Sequence, residues 1–290
     1  MTENQVPVAP IQGQLMAGKR GLVMGVANER SLAWGIANVC AAQGAEIAFT
    51  YQGEALQKRV TPLAALVGSK LVLPCDVTDE ASVEALFKNI HKEWGNIDFL
   101  VHAIAYSDKA QLDGLYVNTT RDNFLRTMDV SCFSFTSVAR HAMPLMPNGG
   151  SMLTLSYLGA ERVMPHYNVM GVAKAALEAS VRYLAVDLGS KNIRVNAISA
   201  GPIKTLAASG IGDFRHILKW NEINAPLKRN VSILEVGNSA LYLLSDLGTG
   251  ITGELLHVDA GYHSIGMIAV DETERLVELV GAMNASVNGT

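Results

Sequence analysis

The run R-G-L-V-M-G-V-A-N-E-R-S-L-A-W-G-I-A, residues 20–37, decides the fold. Its first part, 20–26, is short and almost wholly apolar, which reads as a strand covered on both faces. Gly25 at its end permits a tight turn and close backbone approach. Ser31 then stands as the N-cap of a helix predicted over 31–43. A helix N-terminus beside a strand end offers amide donors and a positive dipole to a phosphate. The strict G-x-G-x-x-G pattern is absent, and over 25–37 the only glycines are Gly25 and Gly35. On its own the run is equally an ordinary strand-to-helix turn with a capping serine.

Outward from this run, apolar stretches alternate with helical periods. Residues 45–51, 71–77, 97–104, 151–156, 193–199 and 254–260 read as six further strands, and T-D-E-A at 78–81 opens the helix after the third. Each strand is a continuous apolar run rather than an alternation, as in a parallel sheet buried on both sides. The βαβα order predicts a single-domain α/β fold: a doubly wound, Rossmann-like parallel sheet with helices on both faces. Ligands then bind at the carboxyl ends of the strands. There is no internal repeat and no linker.

Of the 290 residues, 49% are hydrophobic and 17% charged, so apolar surface is left over for subunit contacts or a greasy pocket. The net charge is −4, without a basic run. Nucleic-acid binding needs clustered Lys and Arg and is not expected. Cys40, Cys75 and Cys132 are odd in number and form no C-x-x-C, as in a reduced, cytoplasmic compartment. The seven histidines form no H-E-x-x-H, so no metal site is expected. The first eighteen residues lack a charged start followed by an apolar run, and no stretch has the ~18 apolar residues that span a bilayer.

At the nucleotide end, the second strand closes on Gln52, where dinucleotide folds often place a ribose-binding carboxylate. Lys58 and Arg59 are within reach of a 2′-phosphate, although as helix surface residues they read first as solvated. The third strand ends in C-D-V. Asp76 suits the adenine amino group and Val77 an amide contact, or Asp76 caps the next helix. The fourth ends in H-A-I-A, small enough to let a flat ring pass. In S-Y-L-G-A-E-R-V-M-P-H-Y-N-V-M-G-V-A-K, residues 156–174, Lys174 follows Tyr167 by seven. If the helix starts near His166, seven residues fall roughly 20° short of two turns. Tyr167 and Lys174 then share a face, roughly 10.5 Å apart. That spacing suits a Tyr on a substrate and a Lys on the cofactor beside it. Taken singly, each reads as a packing or surface residue.

Together these segments resemble the short-chain dehydrogenase/reductase superfamily. More closely, they resemble its divergent branch, the NADH-dependent enoyl-[acyl-carrier-protein] reductases of fatty-acid elongation. The likeness runs over about 18–261. It is carried by G-V-A-N-E-R-S-L-A-W-G-I-A, F-T-Y-Q, S-Y-L-G-A-E-R, Y-N-V-M-G-V-A-K, R-V-N-A-I-S-A-G-P-I-K-T-L-A-A-S-G-I and V-G-N-S-A-L-Y-L-L-S-D-L. Met170 stands where the broader superfamily has its tyrosine four before the lysine, and a longer loop replaces its glycine-rich turn, as in that branch. Ala105 and Tyr106 depart from the branch's usual glycine and phenylalanine and reshape the wall near the nicotinamide.

The resemblance implies a dinucleotide-binding and catalytic domain over 18–265, an N-terminal extension at 1–17 and a tail at 266–290. The tail is expected to fray, with a short amphipathic helix over 271–280. The cofactor is NADH. Its implied contacts are Gly25, Ser31, Leu32, Gln52, Asp76, Val77, Ile104, Lys174, Ile203, Lys204, Thr205, Leu206 and Ala207. Tyr157 and Tyr167 match the two active-site tyrosines, Lys174 completes the catalytic set, and Ser107 falls at a substrate contact. The implied partners are an acyl carrier protein bearing the substrate and three further copies of the chain in a homotetramer.

The implied reaction delivers hydride to the β-carbon of a trans-2-enoyl thioester. Tyr167 then hydrogen-bonds the enolate oxygen, and Lys174 holds the nicotinamide ribose. Tyr157 either assists protonation or shapes the pocket. Residues 203–220 are expected to form a lid over the acyl chain rather than a core helix. Two rival classes are a β-ketoacyl or alcohol dehydrogenase and a non-catalytic dinucleotide sensor. The first wants a closer Tyr–Lys spacing and a serine on the fifth strand, where Thr154 stands.

Overall fold

The computed structural model describes residues 9–206 and 214–267, together with 274, 277 and 281. Seven parallel strands form one sheet: β1 (Arg20–Met24), β2 (Glu46–Tyr51), β3 (Leu71–Pro74), β4 (Phe99–His102), β5 (Gly150–Ser156), β6 (Ile193–Ala200) and β7 (Leu255–Val258), in the order β3-β2-β1-β4-β5-β6-β7. The chain winds outward from β1 in one direction, then crosses back to β4 on its other side. The crevice between the ends of β1 and β4 is therefore the topological switch point, where such sheets bind ligands. The seven expected strands are all present. The third is shorter than expected: the strand ends at Pro74, although the Cys75 amide still donates to the Tyr51 carbonyl at 2.9 Å.

The apolar runs are continuous because both faces are covered. Leu22 and Met24 point to one side, packing with Leu100, Met152 and Val195 under α3 (Glu80–Trp94), α5 (Ser134–Ala142) and α6 (Asn168–Gly189). Val23, Phe49, Val101, Leu153 and Ile198 point to the other, under α1 (Leu32–Ala42), α2 (Gly53–Leu66) and α8 (Ile233–Leu244). Full burial of such a side chain is worth about 1.5–3 kcal/mol, so both layers are fixed by sequence pattern. Met16, within the N-terminal extension, is 1% exposed and belongs to the second layer. Helix α4 (Arg121–Met128) runs into a π-turn, Asp129–Phe133, before α5. Helix α7 (Phe214–Asn224) lies between β6 and α8. In the tail, residues 274, 277 and 281 are helical, and the rest of 271–280 lies outside the described residues.

Candidate active site

At the switch point, Gly25 has φ +98°, and a Cβ there would lie 2.1 Å from the Ala103 carbonyl. Only glycine lets the ends of β1 and β4 approach this closely. Ser31 occupies the N-cap of α1, as expected, but its hydroxyl does not cap the helix. Instead it accepts from the N–H groups of Ala27 at 2.9 Å and Asn28 at 3.1 Å, which locks the turn. The first-turn amides of α1 thus face the crevice without a side-chain acceptor over them, an arrangement suited to an anion.

The ends of β2 and β3 are joined by a hydrogen bond from Gln52 Nε2 to Asp76 Oδ2 at 2.9 Å. Asp76 also accepts from the Thr78 amide and hydroxyl, and these bonds hold its carboxyl below the usual range. It does not cap α3; Asp79 does, accepting from Ala81 N. Lys58 is exposed and paired with Glu54 at 2.9 Å, as helix surface spacing favours.

The other wall comes from β5 and α6. The expectation of a helix from about His166 is corrected: α6 begins at Asn168, and Tyr167 is its N-cap residue. His166 and Asn168 on either side take positive φ, 57° and 36°. That costly backbone is anchored by the Asn168 side chain, which donates to the Leu112 carbonyl at 2.9 Å. Tyr167 is therefore set by a strained cap rather than by helix periodicity. Its ring meets that of Tyr157 edge-on, with centroids 5.1 Å apart. Gly159 makes room for it, since a Cβ there would lie 2.3 Å from the Tyr167 ring. Burial pushes both phenols well above their ordinary range, so each is a neutral hydrogen-bond donor.

Lys174, two turns along α6, is 7% exposed and donates from Nζ to the Leu155 carbonyl at 2.7 Å. Burial lowers its pKa to about 8. An ammonium has three donors, so two remain for a ligand.

One cleft of about 1230 Å³ gathers these groups. Its lining includes Gly25, Ser31, Leu32, Gln52, Asp76, Val77, Ile104, Ser107, Tyr157, Tyr167, Lys174, Ile203, Thr205 and Leu206. Lys204 is exposed and does not line it; Ala207 lies outside the described residues, as does 207–213 of the expected lid. Of that segment's remainder, Phe214 lines the cleft, while Ile217 and Trp220 line a side chamber of about 350 Å³ next to Tyr157. Ser107 accepts from Thr127 Oγ1 at 2.9 Å, which fixes its hydroxyl on the wall.

Sequence reasoning missed three groups here. Arg126 lies 4.5 Å above the Tyr106 ring at the cleft edge. Ser156 lines the cleft, and its hydroxyl donates to the buried Glu178. His102 is fully buried between Thr154 and Ser134, its pKa lowered to about 3 by burial. The position of Glu178, one turn after Lys174, was the available signal for that residue. Nothing local marks Arg126, because α4 approaches the cleft only through the fold.

The crevice fits a dinucleotide on its own geometry: a glycine floor, an uncapped helix start, a hydrogen-bonding pair at the β2 and β3 ends, and a buried ammonium at the far wall. The family model described as enoyl-(acyl carrier protein) reductase matches residues 25–263. Over 257 residues the chain is 70% identical to enoyl-[acyl-carrier-protein] reductase [NADH] 1 of Rhizobium meliloti (strain 1021), covering 89% of this chain and 94% of that one. The crystal structure of the Anaplasma phagocytophilum enoyl-(acyl-carrier-protein) reductase in complex with NAD superposes with a TM-score of 0.87 at 62% identity, covering 90% and 100% of the two chains. The Bacillus cereus enoyl-acyl carrier protein reductase, solved with NADP+ and indole naphthyridinone, gives 0.86 at 53% identity, covering 88% and 100%. With its switch-point cleft, its two tyrosines and its lysine, the chain belongs to the enoyl-(acyl carrier protein) reductase family.

Proposed function

We propose that this cleft reduces the trans-2 double bond of enoyl-acyl-carrier-protein thioesters with NADH in fatty-acid elongation. The observation that carries the reading is the convergence of two neutral phenols, Tyr167 buried and Tyr157 half-buried, and one buried ammonium on a dinucleotide-sized cleft. When bound, NADH supplies the hydride that reaches the β-carbon. The residues do the rest. Gly25, Ser31 and Leu32 bring the turn and the α1 amides to the pyrophosphate. Gln52, Asp76 and Val77 meet the adenosine. Ile104, Ile203, Thr205 and Leu206 border the nicotinamide half. Lys174 uses its two remaining donors on the ribose hydroxyls, and its charge favours the anion that develops nearby.

Tyr167 donates its proton in a hydrogen bond to the thioester oxygen. The phenol is the right donor because its raised proton affinity keeps it neutral throughout the physiological range. Tyr157 supports the Tyr167 ring edge-on and walls the side chamber. The final proton comes from water.

A β-ketoacyl dehydrogenase would need a strand hydroxyl turned to the substrate; on β5, Ser156 borders the cleft but its hydroxyl donates to Glu178. Thr154 is fully buried, and its hydroxyl donates to the His102 carbonyl. The reading extends to a homotetramer. Among the described residues no helix is long and apolar enough to cross a membrane, and large apolar side chains lie exposed on α6. The test is NADH oxidation with crotonyl or longer enoyl thioesters, with acetoacetyl thioester, and with none. Turnover is expected with the first alone; equal or faster turnover of acetoacetyl thioester overturns the reading.

A further inference from the structure

Helix α6 grips the last two residues of β5 with side chains one turn apart. Lys174 donates to the Leu155 carbonyl, and Glu178 accepts from the Ser156 hydroxyl. Positions i and i+4 share a helix face, yet each side chain is turned to the strand. Glu178 is only 8% exposed. A buried carboxyl is costly even when hydrogen-bonded, and a neutral amide could accept the same bond. The charge therefore calls for a function. The residue after Ser156 is Tyr157, whose ring supports Tyr167, so the grip lies where the strand delivers the site tyrosines.

We propose that Glu178 is a positioning residue of the reductase site: it fixes the Ser156–Tyr157 corner through the Ser156 hydroxyl and supplies the buried negative charge that keeps Lys174 an ammonium. This rests on the reading of Lys174 as the group that holds NADH.

The charged surroundings agree. Lys174 faces His102 of β4, Cys132 of the π-turn and Glu178. Burial lowers its proton affinity, while Cys132 and Glu178 oppose that. The Cys132 thiol is itself pushed up by burial and is neutral near pH 7, which leaves Glu178 as the anion. His102 is held neutral by burial. Glu178 in turn faces Glu161 of the turn after β5, His257 of β7 and Arg182 of α6. His257 is engaged by Glu161 at 2.6 Å. Glu178 has its own proton affinity raised, chiefly by burial and against the Ser156 bond.

The test follows NADH binding to the full-length protein by fluorescence, from neutral pH into the usual lysine range, beside steady-state kinetics with an enoyl thioester. Circular dichroism confirms that each variant is folded. Glu178→Gln keeps the acceptor for Ser156 and loses the charge, so the alkaline loss of NADH binding should move down by about one pH unit. Ser156→Ala keeps the charge and loses the anchor. It should leave that alkaline limb in place and lower kcat about tenfold with little change in the KM for NADH. A Glu178→Gln profile that superimposes on the wild type, or an unchanged kcat in Ser156→Ala, overturns the proposal. Lys174→Met separates the two readings. If it binds NADH normally, the role of Lys174 fails, and this proposal with it. If it loses NADH while Glu178→Gln superimposes, only the role of Glu178 fails.

Discussion

Burial acts on Tyr167 and Lys174 in the same chemical sense, against charge, but with different consequences for each. It keeps the phenol protonated and useful as a donor. It weakens the ammonium, which the site must keep charged. Replacing Lys174 with Met should abolish high-affinity NADH binding, read by fluorescence titration, since both charge and ribose donors go. The same shift has a sign in stability. Between about pH 8 and the ordinary lysine value, the unfolded chain binds the proton that folded Lys174 has lost. Wild-type stability should therefore gain up to about 1.4 kcal/mol per pH unit across that window relative to Lys174→Met. Denaturant titrations of the two proteins at successive pH values would show it; a parallel course contradicts the assigned burial. At the other end of the cleft, Asp76 is held ionised and bonded to Gln52, while Lys58 is engaged by Glu54. A 2′-phosphate would meet an anion there, so kcat/KM should favour NADH over NADPH by about tenfold or more. Equal values would contradict this reading of the Gln52–Asp76 pair.

The elements were legible where periodicity alone decides them. All seven strands and α1 are close to their expected bounds, because apolar runs buried on two faces leave little choice. The start of α6 was not. The Tyr167–Lys174 spacing suggested a shared helix face, but two positive-φ residues and an anchor from Asn168 to a carbonyl 56 positions away set the real cap. Such a cap depends on tertiary contact and leaves no periodic trace. Ser31 shows the same limit: its place as N-cap was readable, but the turning of its hydroxyl toward Ala27 was not. Glu178 and Ser156 each looked ordinary, because their meeting depends on how α6 lies across β5. The β1–α1 turn offers an element-scale check. Gly25→Ala should cost at least ~1–2 kcal/mol from the left-handed backbone, and more from the contact with Ala103. Thermal melting and NADH titration should both show a loss; wild-type behaviour in both would mean that the turn can relax.

At the scale of the whole molecule, the sheet order puts the cofactor crevice, the tyrosine pair and the side chamber along one edge, at the strands' carboxyl ends. On the outer face of α6, Val172, Tyr183 and Val186 are 37%, 76% and 81% exposed. At 100° per residue they fall within roughly 60° of one another, a stripe that asks for a partner helix. A homotetramer should elute in size-exclusion chromatography with light scattering, and Tyr183→Glu with Val186→Glu should shift it to smaller species. A monomeric wild type would remove that interface. The claim on which the account turns is that Tyr167 acts as the donor to the reacting oxygen. Single-turnover reduction of an enoyl thioester by preloaded NADH, compared between wild type and Tyr167→Phe, tests it most directly. The account predicts that NADH affinity is preserved and that the hydride-transfer rate falls by about 10²–10³, the loss of one such donor; an unchanged single-turnover rate would contradict it.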